Sequence, residues 1–254
     1  MAKANSNISL VEFEFTADGL ANFRKKMADL FKIAPVARIK ITEKQILVYS
    51  ANKFFHTFKS ALLDTKETFT LTSGEIPDTG IDFVVLNTRN LVQTVNFFAG
   101  TNPVKIAFKQ LRGAPTASEM RISDGDLNLA FVGGDSSELR SITAAQIEQK
   151  LDPADSLFSF TITGDELTKI KRLATLRDKD AINIWIRNGD IRIGQSSWDV
   201  RVGHSDEKET YIFDKKYLSC IDLADVITIY AFDSFISVRG TETNLMIGRE
   251  LDEL

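Results

Sequence analysis

One cysteine, Cys220, stands in 254 residues, so no disulfide can form within the chain, and a reducing compartment suits it. The only histidines, His56 and His204, lie far apart, and no second cysteine or histidine has the spacing of a metal site. No stretch approaches the roughly 20 uninterrupted apolar residues that a bilayer span needs. The opening Met-Ala-Lys-Ala-Asn-Ser-Asn has no apolar signal core, so the closing Leu-Asp-Glu-Leu reads as chance rather than as a retrieval tail. These absences predict an intracellular, cytoplasmic protein with no membrane partner, in a host cytoplasm if the source is viral. Gly133-Gly134 lacks the Gly-Lys-Ser or Gly-x-x-Gly continuation of a phosphate cradle. Asp124-Gly-Asp126 opens like a calcium loop, but Leu129 and Asp135 occupy the places of its glycine and glutamate, so it reads as a turn. With no Ser-His-Asp or Cys-His arrangement either, the chain is expected to be a non-enzyme that needs no cofactor.

What is present is repetition, which constrains architecture before any single motif is weighed. Thr16-Ala-Asp-Gly-Leu20, Asn87-Thr-Arg-Asn-Leu91, Thr163-Gly-Asp-Glu-Leu167 and Asp214-Lys-Lys-Tyr-Leu218 each begin with a side-chain oxygen able to cap a helix and reach a leucine four positions on. The third is a Thr-x-x-Glu capping box. Asp18 and Asp165 precede the repeat leucine by two positions in the first and third copies, where Arg89 and Lys216 stand in the second and fourth. The order is therefore A-B-A-B, two similar domains in tandem. The hairpins agree: Ile39, Ile41, Ile46 and Val48 are spaced as Ile184, Ile186, Ile191 and Ile193 are.

The patterning predicts helices over 18–33, 87–100, 164–177 and 214–223. Leu20, Phe23, Met27, Leu30 and Phe31, then Leu91, Val95 and Phe98, then Leu167, Ile170, Leu173 and Ala174 form the inward stripes. Strands are expected at 11–15, in a hairpin over 37–50, and near 67–73, 82–86, 103–110, 119–132, 157–162, 181–187, 190–195, 198–203, 226–232 and 235–239. Phe54-Phe55 and Phe97-Phe98 read as core, with Phe54-Phe55 alternatively the border of a partner surface. Many strands and two helices per domain give an α+β fold, two similar domains of mostly antiparallel sheet with the helices of each on one face. The boundaries predicted are 1–134, a connector over 135–156, and 157–254.

Net charge is −4, an argument against indiscriminate nucleic-acid binding, yet its distribution is uneven. The four helices hold 11 of the 31 basic residues and 6 of the 35 acids, and most of those acids sit at helix N-termini, where the helix dipole favours them. The polar faces of the helices are thus basic on an acidic molecule, the footprint of a surface for a polyanion.

The quadruplicate strand–helix pattern, the outward lysines and arginines, and the segment Phe158-Ser-Phe-Thr-Ile-Thr-Gly-Asp-Glu-Leu-Thr-Lys-Ile-Lys-Arg-Leu173 followed by Ile182-Asn-Ile-Trp-Ile-Arg-Asn-Gly-Asp-Ile-Arg-Ile193 make the chain resemble the DNA sliding clamps. That family includes proliferating cell nuclear antigen and the clamps of T-even-like bacteriophages. The two-domain length matches the trimeric clamps, a bacterial three-domain clamp needing roughly half as many residues again. The resemblance implies a homotrimeric ring that encircles double-stranded DNA without regard to sequence, tethers a DNA polymerase and is opened by a clamp-loader ATPase. It places Lys25, Lys32, Arg89, Lys169, Arg172 and Lys216 toward phosphates, with Lys26, Lys171, Arg177 and Lys215 at the margins. It places a partner-peptide pocket near Leu139, Ile142, Ile147, Tyr230, Phe232 and Ile247. Subunit contacts are implied along Leu127, Leu129 and Phe131 and along Trp198, Val200 and Val202. Two other readings stay open: a clamp-fold viral processivity subunit acting as an open monomer or dimer, and a tandem-repeat structural or assembly protein whose basic helices are only a solvated face.

Overall fold

The computed structural model describes residues 8–52, 56–98, 103–111, 113–176, 180–240 and 243–249. The expectations at Phe54-Phe55, at Arg177, at the helix ends 99–100 and in the two chain tails lie outside the described residues. The chain clusters into two compact units, residues 1–51 with 60–143 and residues 52–59 with 144–254.

The first unit runs β1 (Ile8–Phe15), α1 (Ala17–Phe31), β2 (Ala37–Ile41), β3 (Gln45–Ala51), β4 (Thr57–Asp64, of which the first three residues fall in the second unit), α2 (Thr65–Thr68), β5 (Phe69–Ser73), β6 (Ile81–Val85), α3 (Thr88–Phe97), β7 (Lys105–Leu111), β8 (Glu119–Ser123) and β9 (Asn128–Val132). Its strands order as β5-β1-β7-β8-β9 and as β4-β3-β2-β6. The second unit runs α4 (Ala144–Lys150), β10 (Phe158–Thr163), α5 (Gly164–Thr175), β11 (Ala181–Arg187), β12 (Asp190–Gln195), β13 (Trp198–His204), β14 (Thr210–Asp214), a 3-10 helix (Lys215–Cys220), β15 (Val226–Ala231), β16 (Phe235–Arg239) and β17 (Thr243–Gly248). Here the orders are β13-β12-β11-β14 and β10-β15-β16-β17.

The units repeat one wiring. β2 pairs with β3 and β6 as β11 pairs with β12 and β14, and β1 pairs with β7 as β10 pairs with β15, all antiparallel. The hairpin isoleucines meet as their spacing predicts, Ile39 opposite Val48 and Ile41 opposite Ile46, Ile184 opposite Ile193 and Ile186 opposite Ile191. Asn188 and Gly189 take φ of 53° and 82°, the two left-handed residues that a tight hairpin turn requires.

Each predicted cap forms. The Thr16 hydroxyl accepts from the Gly19 amide at 2.9 Å, Asn87 Oδ1 from the Asn90 amide at 3.0 Å, and Asp214 Oδ1 from the Lys216 amide at 2.9 Å. Thr163 and Glu166 close the capping box in both directions. Gly19 is needed for space, since a Cβ there would stand 2.3 Å from the Thr68 carbonyl oxygen. Beneath α1 and α3 lies a phenylalanine-rich core in which Phe15 meets Phe23 and Phe69 at centroid distances of 5.5 and 4.8 Å. Pairs of this kind add about 0.5–1.5 kcal/mol beyond the area they bury.

The differences from expectation are local. Phe31, predicted on the apolar stripe, is the last residue of α1 and stays 41% exposed, and Phe97, expected in the core with Phe98, is the last residue of α3 and lies in solvent while Phe98 is buried. The fourth helix is six residues of 3-10 helix rather than an α-helix over 214–223. It stops because the Lys59 ammonium takes the Cys220 carbonyl and the Asp222 carboxylate, both at 2.8 Å, and draws the chain out of the helical path. β4 escaped prediction because it is buried on both faces with Thr57, Lys59 and Ser60 inside, so its sequence does not alternate. β14 follows the charged loop 205–209 directly and is not among the expected strands.

Candidate nucleic-acid interface

Helix α1 packs beside α3 in the first unit, and α5 beside the 3-10 helix in the second. Burying one stripe of each helix over the sheets leaves the opposite stripe in solvent, and the candidate cations lie there. Lys25 and Lys32 from α1 and its C-cap, and Arg89 from α3, belong to one two-helix layer. Lys169 and Arg172 from α5, and Lys216 from the 3-10 helix, belong to the other. All six are exposed.

Their electrostatic states differ. Among the described residues no carboxylate pairs with Lys25, Arg89, Lys169 or Arg172. Lys32 Nζ lies 3.0 Å from Asp29 Oδ1, and Lys216 Nζ lies 2.6 Å from Asp214 Oδ2 and 4.8 Å from the centroid of the Tyr217 ring. The Asp214 hydrogen bond holds the Lys216 ammonium above its ordinary pKa, outweighing the small cost of desolvation. Exposed pairs of this kind contribute about 0–1 kcal/mol, so an arriving phosphate can compete for either lysine. The marginal lysines are committed elsewhere: half-buried Lys171 donates to the Ile221 carbonyl at 2.9 Å, and Lys215 pairs with Asp180 at 3.1 Å.

The segment expected as the connector, 135–156, is fastened along its first half. Arg38, only 2% exposed on β2, forms a two-pronged pair with Asp82 of β6, Nε to Oδ1 at 2.6 Å and Nη2 to Oδ2 at 3.0 Å. Its remaining nitrogen, Nη1, donates to the carbonyls of Ser136, at 3.2 Å, and of Leu139. Lys40 Nζ donates to the Ser141 hydroxyl at 3.0 Å and the Ile142 carbonyl at 3.2 Å. The Tyr49 hydroxyl donates to the Arg140 carbonyl at 2.9 Å and accepts from the Ile142 amide at 3.1 Å. Burial pushes the Tyr49 phenol up to about 12, so it keeps the proton it donates. In the second unit Arg239 donates to the Leu151 carbonyl, and Lys150 of α4 stands 5.4 Å over the Phe235 ring.

Of the residues placed in a partner pocket, Leu139 and Ile142 belong to the first unit and Ile147, Tyr230, Phe232 and Ile247 to the second. Leu139, Ile147, Phe232 and Ile247 are buried; Ile142 and Tyr230 are partly exposed, Tyr230 under the Arg239 guanidinium at 5.6 Å. Of the residues placed at subunit contacts, Leu129 and Phe131 lie on β9, while Leu127 precedes it in a turn held by the Asp124 carboxylate. Trp198, Val200 and Val202 lie on β13. Each of these strands stands at the end of its sheet order within its unit. β9 reads Asn-Leu-Ala-Phe-Val, with none of the charges or prolines that ordinarily blunt an exposed edge.

Sequence reasoning missed Arg38, Lys40, Tyr49, Lys59 and Asp82. Arg38 and Lys40 alternate with Ile39 and Ile41, the signature of a solvated strand face, and nothing local signals that the connector will cover that face.

No protein-family model matches the chain, and no curated protein sequence does. Solved structures do. A putative DNA polymerase III beta subunit from Eubacterium rectale aligns at a TM-score of 0.67 with 10% identity, over 96% of this chain and 66% of that one. The DNA polymerase III beta chain from Streptococcus pneumoniae aligns at 0.66 with 10% identity, and the beta subunit from Borrelia burgdorferi, in complex with a natural product, at 0.67 with 11% identity, each over the same shares. The chain spans 66% of the length of these structures. With these alignments covering 96% of the chain, the protein has the DNA clamp fold.

Proposed function

We propose that this protein is a DNA sliding clamp, a non-enzymatic ring that encircles duplex DNA and tethers a replicative polymerase. The observation that carries this reading is that each of the four capped repeat helices of a clamp fold contributes at least one exposed cation, and that among the described residues four of these six have no carboxylate partner. Two units spanning 66% of the length of the beta subunits support three copies per ring, so that six units close it. Lys25, Lys32, Arg89, Lys169, Arg172 and Lys216 then line the bore. Contacts between such residues and phosphate carry no sequence information, and each is a modest attraction screened by salt. A ring so lined stays near the duplex without being pinned to one base pair, and topology rather than affinity prevents its loss. β9 of one copy meets β13 of the next, pairing two otherwise open edges. Polymerase peptides dock near the connector. A clamp-loader ATPase opens the ring, and the protein works in the cytoplasm.

Light scattering tests the assembly: a mass near three times 28.4 kDa is expected, and a monomer at every concentration contradicts the ring. Charge reversal at Lys25, Arg89, Arg172 and Lys216 tests the bore. Loss of polymerase stimulation with folding intact supports it, and full stimulation by the quadruple variant favours a structural protein with a merely solvated basic face.

A further inference from the structure

The outward stripe of α3 differs from those of the other helices. It reads Arg89, Asn90, Gln93, Asn96 and Phe97, all exposed, and α3 contains no acidic residue. The exposed residues of α1 include Asp18 and Lys25, and those of α5 include Asp165, Lys169 and Arg172, the mixture of a surface that meets water and phosphate. α3 instead offers one charge, three carboxamides and an aromatic ring. Phe97 is 66% exposed, and its ring stands edge-on against the buried ring of Phe98, centroids 5.6 Å apart and planes at 89°. The contact props the ring against a fixed core residue while leaving most of its surface to solvent.

Each side-chain type on this stripe has a partner among unpaired nucleotides. A phenyl face stacks on a base of any sequence, carboxamides both donate to and accept from base edges, and a guanidinium holds the neighbouring phosphate. An intact duplex presents stacked bases edge-on only, and gives a phenyl face nothing to stack on. We propose that the α3 stripe binds single-stranded DNA, with Phe97 as the stacking platform, Asn90, Gln93 and Asn96 at base edges and Arg89 on the backbone. Resting on the clamp reading, this gives the basic surface a second ligand, the unpaired template strand next to a primer end.

The test uses the full-length protein and two probes: a blunt duplex, and the same duplex carrying a ten-nucleotide single-stranded overhang with 2-aminopurine in it. Anisotropy reports affinity, and 2-aminopurine fluorescence reports stacking. Phe97→Ala should weaken binding to the overhang probe by roughly 5- to 100-fold and abolish the fluorescence change, leave blunt-duplex affinity within about twofold, and leave the thermal midpoint unchanged. Phe97→Trp should restore both signals. The proposal is overturned if Phe97→Ala leaves overhang binding intact, if it weakens both probes equally, or if Phe97→Leu matches wild type, which would make the site a plain apolar contact suited to a protein partner. Arg172→Glu, in the other unit, separates the two ideas. If it leaves blunt-duplex affinity untouched, the basic-bore reading fails while the Phe97-dependent fluorescence change still stands or falls alone.

Discussion

Replacing Arg38 probes how the connector is held. The guanidinium makes two contacts to Asp82 and two to connector carbonyls, all from a site 2% exposed. Arg38→Ala strands the Asp82 carboxylate in a buried position with Lys40 at 3.9 Å as its nearest cation, and leaves the Ser136 and Leu139 carbonyls without that donor. Losing one partner of a buried pair costs about 3–5 kcal/mol. For a chain of this size that lowers the unfolding midpoint of the first unit by roughly 6–20 °C. The double variant Arg38→Met/Asp82→Leu removes both charges and should recover most of the loss, because uncharged residues of similar volume commonly replace buried pairs at little cost. Trypsin gives a local readout, since Arg140 is exposed and its carbonyl is held by Tyr49. Arg38→Ala should speed cleavage after Arg140 at least tenfold below the melting range. A midpoint within 2 °C of wild type, together with unchanged cleavage at Arg140, would refute the strap.

Further outcomes follow from other contacts. Thr163→Ala removes the capping box of α5 and should cost about 0.5–2 kcal/mol by urea titration, while Thr163→Ser should restore it. Phe23→Ala opens a cavity under α1, where Phe23 is fully buried, and should cost about 3–5 kcal/mol in the same assay. Tyr49 links stability to alkaline pH: its folded pKa, about 12, lies above the unfolded value of 10.0, so its contribution is complete below pH 10 and is lost as pH rises toward 12. Stability should fall on the order of 2 kcal/mol less steeply across that window in Tyr49→Phe than in wild type; parallel curves would show that Tyr49 is not the group responsible.

Much of this architecture is written in local patterns. Thr16, Asn87, Thr163 and Asp214 are caps because their side chains satisfy the first amides of the helices that follow, a relation spanning two or three residues. The hairpin isoleucines pair as spaced because a tight turn fixes register. The exposed cations were legible because a helix shows its burial pattern every three or four residues. What was not legible depends on distant chain. β4 hides because Lys59 and its neighbours are buried through contacts with residues such as Cys220 and Asp222, more than 160 positions away in the case of Lys59 and Cys220. The strap hides because Arg38 and Lys40 become buried or bound only when a segment roughly 100 residues later folds over them. The burial of Leu139 hides for the same reason, its apolar side chain being visible in the sequence and the segment that covers it not.

Entrapment of circular DNA tests encirclement most directly. Cys220 is buried and the sequence has no other cysteine, so Ala130→Cys on β9 and Arg201→Cys on β13 can be joined by a bismaleimide after the protein and a plasmid circle are mixed. The ring account predicts a cross-linked product of three chains that stays with the circle in detergent and comes free once the plasmid is cut at a single site. Cross-linked trimers that leave the circle as readily as the linear form, or cross-linking that yields no closed product, would contradict it.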